Sequence, residues 1–210
     1  MKFKLFDLGK IEFKQAWQLQ KWIFQEIKSG VLDAALLVCR HDPVITLGRL
    51  AAKTSVLVPR DELEKRGIPV YAIERGGDAT YHGPGQITAY PIFNLSYFRK
   101  DVHFFLRQLE EVVIALNNDL RIKSFRRPGF TGVWTDAGKI ASVGIAVKNW
   151  ITFHGVSLNI KAEDLENFLL IRPCGMNIPM ASLETVTAKR FEFDEVKESL
   201  VGQFRSVFRL

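Results

Sequence analysis

Residues 132–160 read GVWTDAGKIASVGIAVKNWITFHGVSLNI. The stretch is rich in β-branched and aromatic residues, and turn signals cut it at Asp136-Ala137-Gly138 and near Lys148-Asn149. Runs of this composition between such turns predict three consecutive antiparallel strands. Side chains along a strand alternate between its faces. Strict alternation puts Lys139 on the face of Ala141, Val143, Ile145 and Val147. Ile140, Ser142, Gly144 and Ala146 take the other face. In the third strand His154 shares a face with Thr152, Val156 and Leu158.

Outward from this meander, helices and strands are interspersed without a sustained βαβ rhythm. Apolar residues at helical spacing predict helices over 12–29, 101–118 and 194–208, and a short one over 59–66. AALLVC (34–39) and VITL (44–47) read as buried strands around a turn at His41-Asp42-Pro43. Another strand is expected through 70–74. QITAYPIFNL (86–95) has strand composition, but Pro91 argues for an edge or a bulge there. The pattern predicts an α+β fold of mixed, mainly antiparallel sheets flanked by helices. No linker or repeat divides the chain, so one domain over 1–210 is expected.

The 210 residues carry a formal net charge of +6, with basic residues scattered rather than clustered. This favours an acidic protein partner over nucleic acid. Two cysteines make no disulfide framework and fit a reducing, cytoplasmic setting. No apolar run approaches the roughly 20 residues of a membrane span.

Four of the 15 glycines fall in RGGDATYHGPGQ (75–86), around His82. Two glycine turns flank Ala79-Thr80-Tyr81-His82, as if that segment lined a groove. The stretch is neither a dinucleotide fingerprint nor a phosphate-binding loop. Gly144 and Gly155, inside strands, suggest close approach of a ligand or of another backbone. Cys174 stands between Pro173 and Gly175, on a loop or at the very start of a helix, whereas Cys39 ends an apolar run and reads as core. A nucleophilic thiol needs a base or cation beside it. Lys139, His82 and His154 are the candidates. Lys139 either snorkels to water or sits partly desolvated. The histidines and Cys174 lack the spacing of a zinc site, so neither metal nor cofactor is expected.

RGGDATYHGPGQITAYPIFNL (75–95), the 132–160 stretch and IRPCGM (171–176) closely resemble the octanoyltransferase family of lipoate biosynthesis. HDPVITLGR (41–49) resembles the family's preceding segment. The resemblance runs from about residue 39 to 178. It implies a biotin/lipoate-ligase-like fold. It also implies transfer of octanoyl from octanoyl-acyl carrier protein to a lysine of a lipoyl domain, either of 2-oxoacid dehydrogenases or of the glycine cleavage H protein. The family's thioester cysteine matches Cys174, and the lysine that lowers its pKa matches Lys139. The substrate-contacting stretches match Arg75, Gly76, Gly77, Asp78, Ala79, Thr80, Tyr81 and His82; Ser142, Val143 and Gly144; and Gly155, Val156 and Ser157. His154 is a possible auxiliary. A monomer is expected, with no nucleic-acid or membrane partner. The rival readings are an ATP-dependent lipoate or biotin ligase, a non-catalytic acyl-binding module and a Cys-His hydrolase.

Overall fold

The structure, a computed structural model, describes residues 2–172 and 177–210. Cys174 therefore lies outside the described residues. Strands β1 (Phe3–Lys10), β2 (Ala34–Arg40), β6 (Gln86–Phe93), β7 (Val133–Thr135), β8 (Gly138–Lys148) and β9 (Ile151–Asn159) form one sheet in the order β1-β2-β6-β9-β8-β7. Its pairs are antiparallel except β1 with β2. A second sheet holds β3 (Val44–Leu47), β4 (Val70–Ala72) and β5 (Ala79–His82) in the order β4-β3-β5. The turn at 41–43 thus carries the chain from one sheet to the other instead of closing a hairpin.

Helix α1 (Phe13–Lys28) turns Ala16, Ile23, Phe24 and Ile27 toward Ala35, Leu37, Tyr90 and Ile92 on one face of the large sheet. Helices α3 (Val102–Asp119) and α5 (Phe193–Phe208) cover the other face through Phe105, Leu109, Val113, Leu200 and Phe204. Asp101 caps α3 by accepting from Phe104 N at 2.9 Å. The short helices α2 (Arg60–Lys65) and α4 (Leu183–Thr187) complete the set. The small sheet packs with α2 and the segment after β9 around Ile45, Leu63, Ile68, Tyr81 and Leu170. Of these elements β1, β5 and α4 lie outside the sequence expectations.

Two expectations about strands need correction. Pro91 is neither at an edge nor in a bulge, because β6 is fully buried between β2 and β9. Leu36 pairs with Pro91 across β2, while the register with β9 runs only from Gln86 to Ala89. Beyond it the hydroxyl of Thr152 takes over: it accepts from Phe93 N at 3.0 Å and donates to Pro91 O at 2.7 Å. The missing N–H of proline faces a place where no ladder bond is needed.

Lys139 does not share the face of Ala141 and Ile145. Val133 pairs with Ala141 but Trp134 with Lys139, so Ile140 is an extra residue in β8. Such a bulge shifts alternation by one. Ile140, Ala141 and Ile145 enter the core, and Lys139 joins Ser142 and Gly144 along a cavity.

Candidate active site

The cavity, about 360 Å³ in volume, lies where β5 faces β6, β8 and β9. Phe13, Ala79, Val143, Val156, Phe168, Ile171 and Ile178 give it apolar walls. Arg75, His82, Lys139, Ser142, His154 and Ser157 add polar groups. A mainly apolar cavity with a few placed polar groups in this size range is the usual form of a small-molecule site.

Nearly all the sequence-predicted residues meet here. Gly76, Gly77, Asp78, Thr80, Gly144 and Gly155 line the same space. Tyr81 does not. Alternation along β5 sends its ring to the opposite face, fully buried, where its hydroxyl lies 3.4 Å from Asp164 Oδ1 and accepts from Asn167 Nδ2 at 3.0 Å. Burial raises its pKa.

The glycines serve different neighbours than an acyl chain alone. A methyl group on Gly83 would stand 2.3 Å from Tyr81 Oη, and one on Gly85 2.9 Å from Asp164 Oδ2. Asp164 also accepts from Gly85 N, which braces the Gly-Pro-Gly turn. A methyl on Gly155 would stand 2.2 Å from Ala89 O, so this glycine admits the backbone of β6. At Gly144 the nearest atoms are Arg75 Cδ at 3.2 Å and Gly76 O at 3.3 Å.

Arg75 is only 8% exposed. Its guanidinium donates to Thr46 O at 2.6 Å, to Thr46 Oγ1 at 3.0 Å and to Gly76 O at 3.1 Å. Burial pulls its pKa down to about 10, which leaves it a cation at neutral pH.

Three buried histidines cluster at the cavity, His82 and His154 in its lining and His41 behind it. His41 Nδ1 lies 2.8 Å from Ile11 O, so that nitrogen carries the proton, and Nε2 accepts from the Tyr90 hydroxyl at 2.7 Å. Burial holds its pKa down at about 4. His82 Nδ1 lies 3.3 Å from Gln86 Oε1, and its ring stacks on Phe13. Burial pushes it well below the ordinary range. His154 departs from the alternation expected for β9: its φ is +59°, and its ring turns to the cavity while Leu158 stays in the core. Burial lowers its pKa, opposed by the hydrogen bond to Glu74.

Lys139 is fixed through its backbone. Its N–H donates to Pro179 O at 2.8 Å, and its carbonyl accepts from Ala181 N at 2.9 Å. The side chain passes Gly132, and Nζ stands 5.7 Å from the centre of the Trp134 ring. The loop before β7 is held by Glu110, a fully buried carboxylate that accepts from Gly132 N at 2.9 Å and from Arg107 at 2.6 Å. Sequence reasoning missed Glu110, Glu74, Thr46 and Asp164. Apart from Arg107, three residues from Glu110, the partners named here are 22 to 83 residues away, and no local motif marks them. Cys39, by contrast, is where expected: buried, with burial raising its thiol pKa.

The model of the lipoyl protein ligase A/B catalytic domain matches residues 12–205. This chain belongs to that family. Its relatives include an octanoyltransferase of Thermoanaerobacter sp. (strain X514), 40% identical over 99% of this chain and 90% of the relative. One of Geobacter metallireducens is 39% identical over 94% of this chain and 90% of the relative. Among solved structures, lipoate-protein ligase A bound with ATP superposes with a TM-score of 0.76 at 16% identity, covering 100% of this chain and 86% of that one. Biotin protein ligase from Aquifex aeolicus in complex with biotin and ATP gives 0.59 at 15% identity, covering 98% and 70%. At those identities the likeness shows the fold alone, and the expected biotin/lipoate-ligase-like α+β architecture is what this member of the family has. Among the described residues no helix is long and apolar enough to cross a membrane.

Proposed function

We infer that this lipoyl protein ligase A/B family member is an octanoyltransferase of protein lipoylation. The observation that carries the reading is near-full-length identity of about 40% to octanoyltransferases, on a chain whose cavity joins apolar walls to Lys139. The donor is octanoyl-acyl carrier protein and the acceptor a lysine of a lipoyl domain. Cys174 attacks the octanoyl thioester and holds the acyl group as an enzyme thioester, and Lys139 serves as the amine that draws the thiol toward thiolate. Supporting this, Ile171 and Ile178, three residues before and four after Cys174 in sequence, both line the cavity that Lys139 lines.

The apolar walls receive the octanoyl chain. About six buried methylenes at roughly 0.8 kcal/mol each give on the order of 5 kcal/mol of binding. The net charge of +6 suits acidic carrier domains that dock in turn, one for each half-reaction. The ATP-dependent ligase reading shares the fold but needs no nucleophilic cysteine. The experiment is transfer of octanoyl from acyl carrier protein to a lipoyl domain without ATP. The octanoyltransferase reading expects full activity; a strict ATP requirement overturns it in favour of a ligase.

A further inference from the structure

Three hydroxyl residues stand in one row across the sheet that floors the cavity. Thr88 of β6 pairs with Ser157 of β9, and Ser157 pairs with Ser142 of β8. All three line the cavity. Thr88 is 1% exposed, and its hydroxyl is buried without a hydrogen-bond partner. Among the described residues nothing bonds to the hydroxyl of Ser142 or Ser157 either. The groups beside Thr88 are committed elsewhere. Cys39, opposite it on β2, has its sulfur 3.4 Å from His41 Nε2. Tyr90, two residues further along the same face of β6, gives its hydroxyl proton to His41.

His82 adds an acceptor to the same cavity. Gln86 Nε2 donates to Tyr81 O at 3.1 Å, so Gln86 Oε1 is the atom that accepts from His82 Nδ1. The ring proton therefore sits on Nδ1, and Nε2 keeps its lone pair. Among the described residues nothing donates to that nitrogen, and burial keeps the ring neutral. Gln86 and Thr88 leave β6 on the same face, so the ring is anchored two residues from Thr88. A plain alkyl chain cannot use these groups: each polar atom that it covers loses water and gains no partner. Valine would fill the place of Thr88 in a strand equally well. A hydroxyl on the chain complements the lining, because it can donate to the His82 lone pair and accept from a hydroxyl of the row.

We propose that the row Thr88, Ser157 and Ser142, with His82, is a subsite for a hydroxyl group carried on the bound acyl chain. Hydroxylated medium-chain acyl thioesters are then substrates beside octanoyl. That last step rests on the octanoyltransferase reading above, whereas the subsite is a property of the cavity itself. These residues bind, and no step of the chemistry is assigned to them.

The test measures binding and transfer separately. Octanoate and its monohydroxy derivatives, with the hydroxyl moved carbon by carbon along the chain, are titrated into wild type, Thr88→Val and Thr88→Ser by calorimetry. The matching acyl carrier protein thioesters then serve as donors to a lipoyl domain, without ATP. One hydroxyl position is expected to bind at least as tightly as octanoate. The positions on either side should bind about tenfold more weakly, because there the hydroxyl is buried against apolar wall. Thr88→Val should lower the affinity ratio of the favoured hydroxy acid to octanoate by about fivefold or more. Thr88→Ser keeps a hydroxyl and should hold that ratio within about twofold. Melting curves check that each variant folds, and Ser157→Ala, with the same expected drop, replaces Thr88→Val if that variant does not. The favoured donor should be transferred with a kcat/KM no lower than that of octanoyl. Weaker binding of every hydroxy acid than of octanoate, or a ratio that the loss of the hydroxyl leaves unchanged, overturns the subsite and makes the row a seat for ordered water. The expected binding pattern in a protein that transfers no octanoyl brings down the octanoyltransferase reading and leaves the subsite standing.

Discussion

The side chain of Lys139 lies directly over the backbone of Gly132: a methyl group there would stand 2.6 Å from Cε and 3.2 Å from Nζ. Gly132 also has a φ of +124°, which L side chains avoid. Gly132→Ala is therefore expected to displace the amine and strain the loop together. Activity should fall at least about tenfold. The melting temperature should drop by a few degrees, as ~1 kcal/mol shifts a chain of this size by about 2–4 °C. Initial rates and a melting curve check both, and full activity would contradict the placement of Lys139.

The two cysteines should separate cleanly. Cys174→Ser is expected to abolish or nearly abolish transfer, whereas Cys39→Ser should retain most of it, because Cys39 is buried in β2 against His41 at 3.4 Å. Equal losses would argue against Cys174 as nucleophile. Lys139→Arg should not restore activity, since a guanidinium stays protonated.

Two glycines in neighbouring strands predict opposite outcomes. At Gly155 an added Cβ meets the backbone of Ala89 at 2.2 Å, so Gly155→Ala should destabilise the fold by ~1–3 kcal/mol and reduce activity with every acyl donor. At Gly144 it meets the Arg75 side chain at 3.2 Å, which needs a shift of only tenths of an ångström. Gly144→Ala should leave the melting temperature nearly unchanged. Gly144→Val should crowd the cavity and lower activity with octanoyl more than with a shorter donor. A uniform loss with a lowered melting point would make Gly144 structural.

Stability should depend on acid through the buried histidines. His41 has its pKa near 4 in the folded protein, against about 6.5 when unfolded. Between those values the unfolded chain binds more protons, so stability rises with pH there and is lost as pH falls from about 6.5 toward 4. His82 and His154, also lowered by burial, add to the same limb. For His41 alone the loss is on the order of 3 kcal/mol. Urea melts at pH 7 and pH 4.5 should show it, and His41→Gln should flatten the difference. Equal stability at both pH values would show that these rings are not held neutral.

Much of this was legible in the sequence where the signal is local. The meander 132–160 and the three long helices end within about a residue or two of their expected limits, since turn residues and helical spacing mark them. Strand β1 was readable in principle: Phe3 and Leu5 pack on one core, and Phe6 and Leu8 on the other. Its charged alternation at the chain start hid it. The bulge at Ile140 was not readable, because it exists only through the pairing of Val133 and Trp134 with β8. The segment 75–82 announced itself through its glycines. What holds it, the Thr46 carbonyl beneath Arg75 and the Asp164 carboxylate beneath the Gly-Pro-Gly turn, comes from strands and loops distant in sequence.

The central claim, an octanoyl group carried on Cys174 between donor and acceptor, is tested most directly by intact mass. The protein is mixed with octanoyl-acyl carrier protein, weighed, and weighed again after a lipoyl domain is added, all without ATP. The account predicts a gain of one octanoyl group that is absent in Cys174→Ala and disappears as the lipoyl domain gains the same mass. Octanoyl transfer by Cys174→Ala at the wild-type rate, or an adduct that persists in that variant, would contradict it.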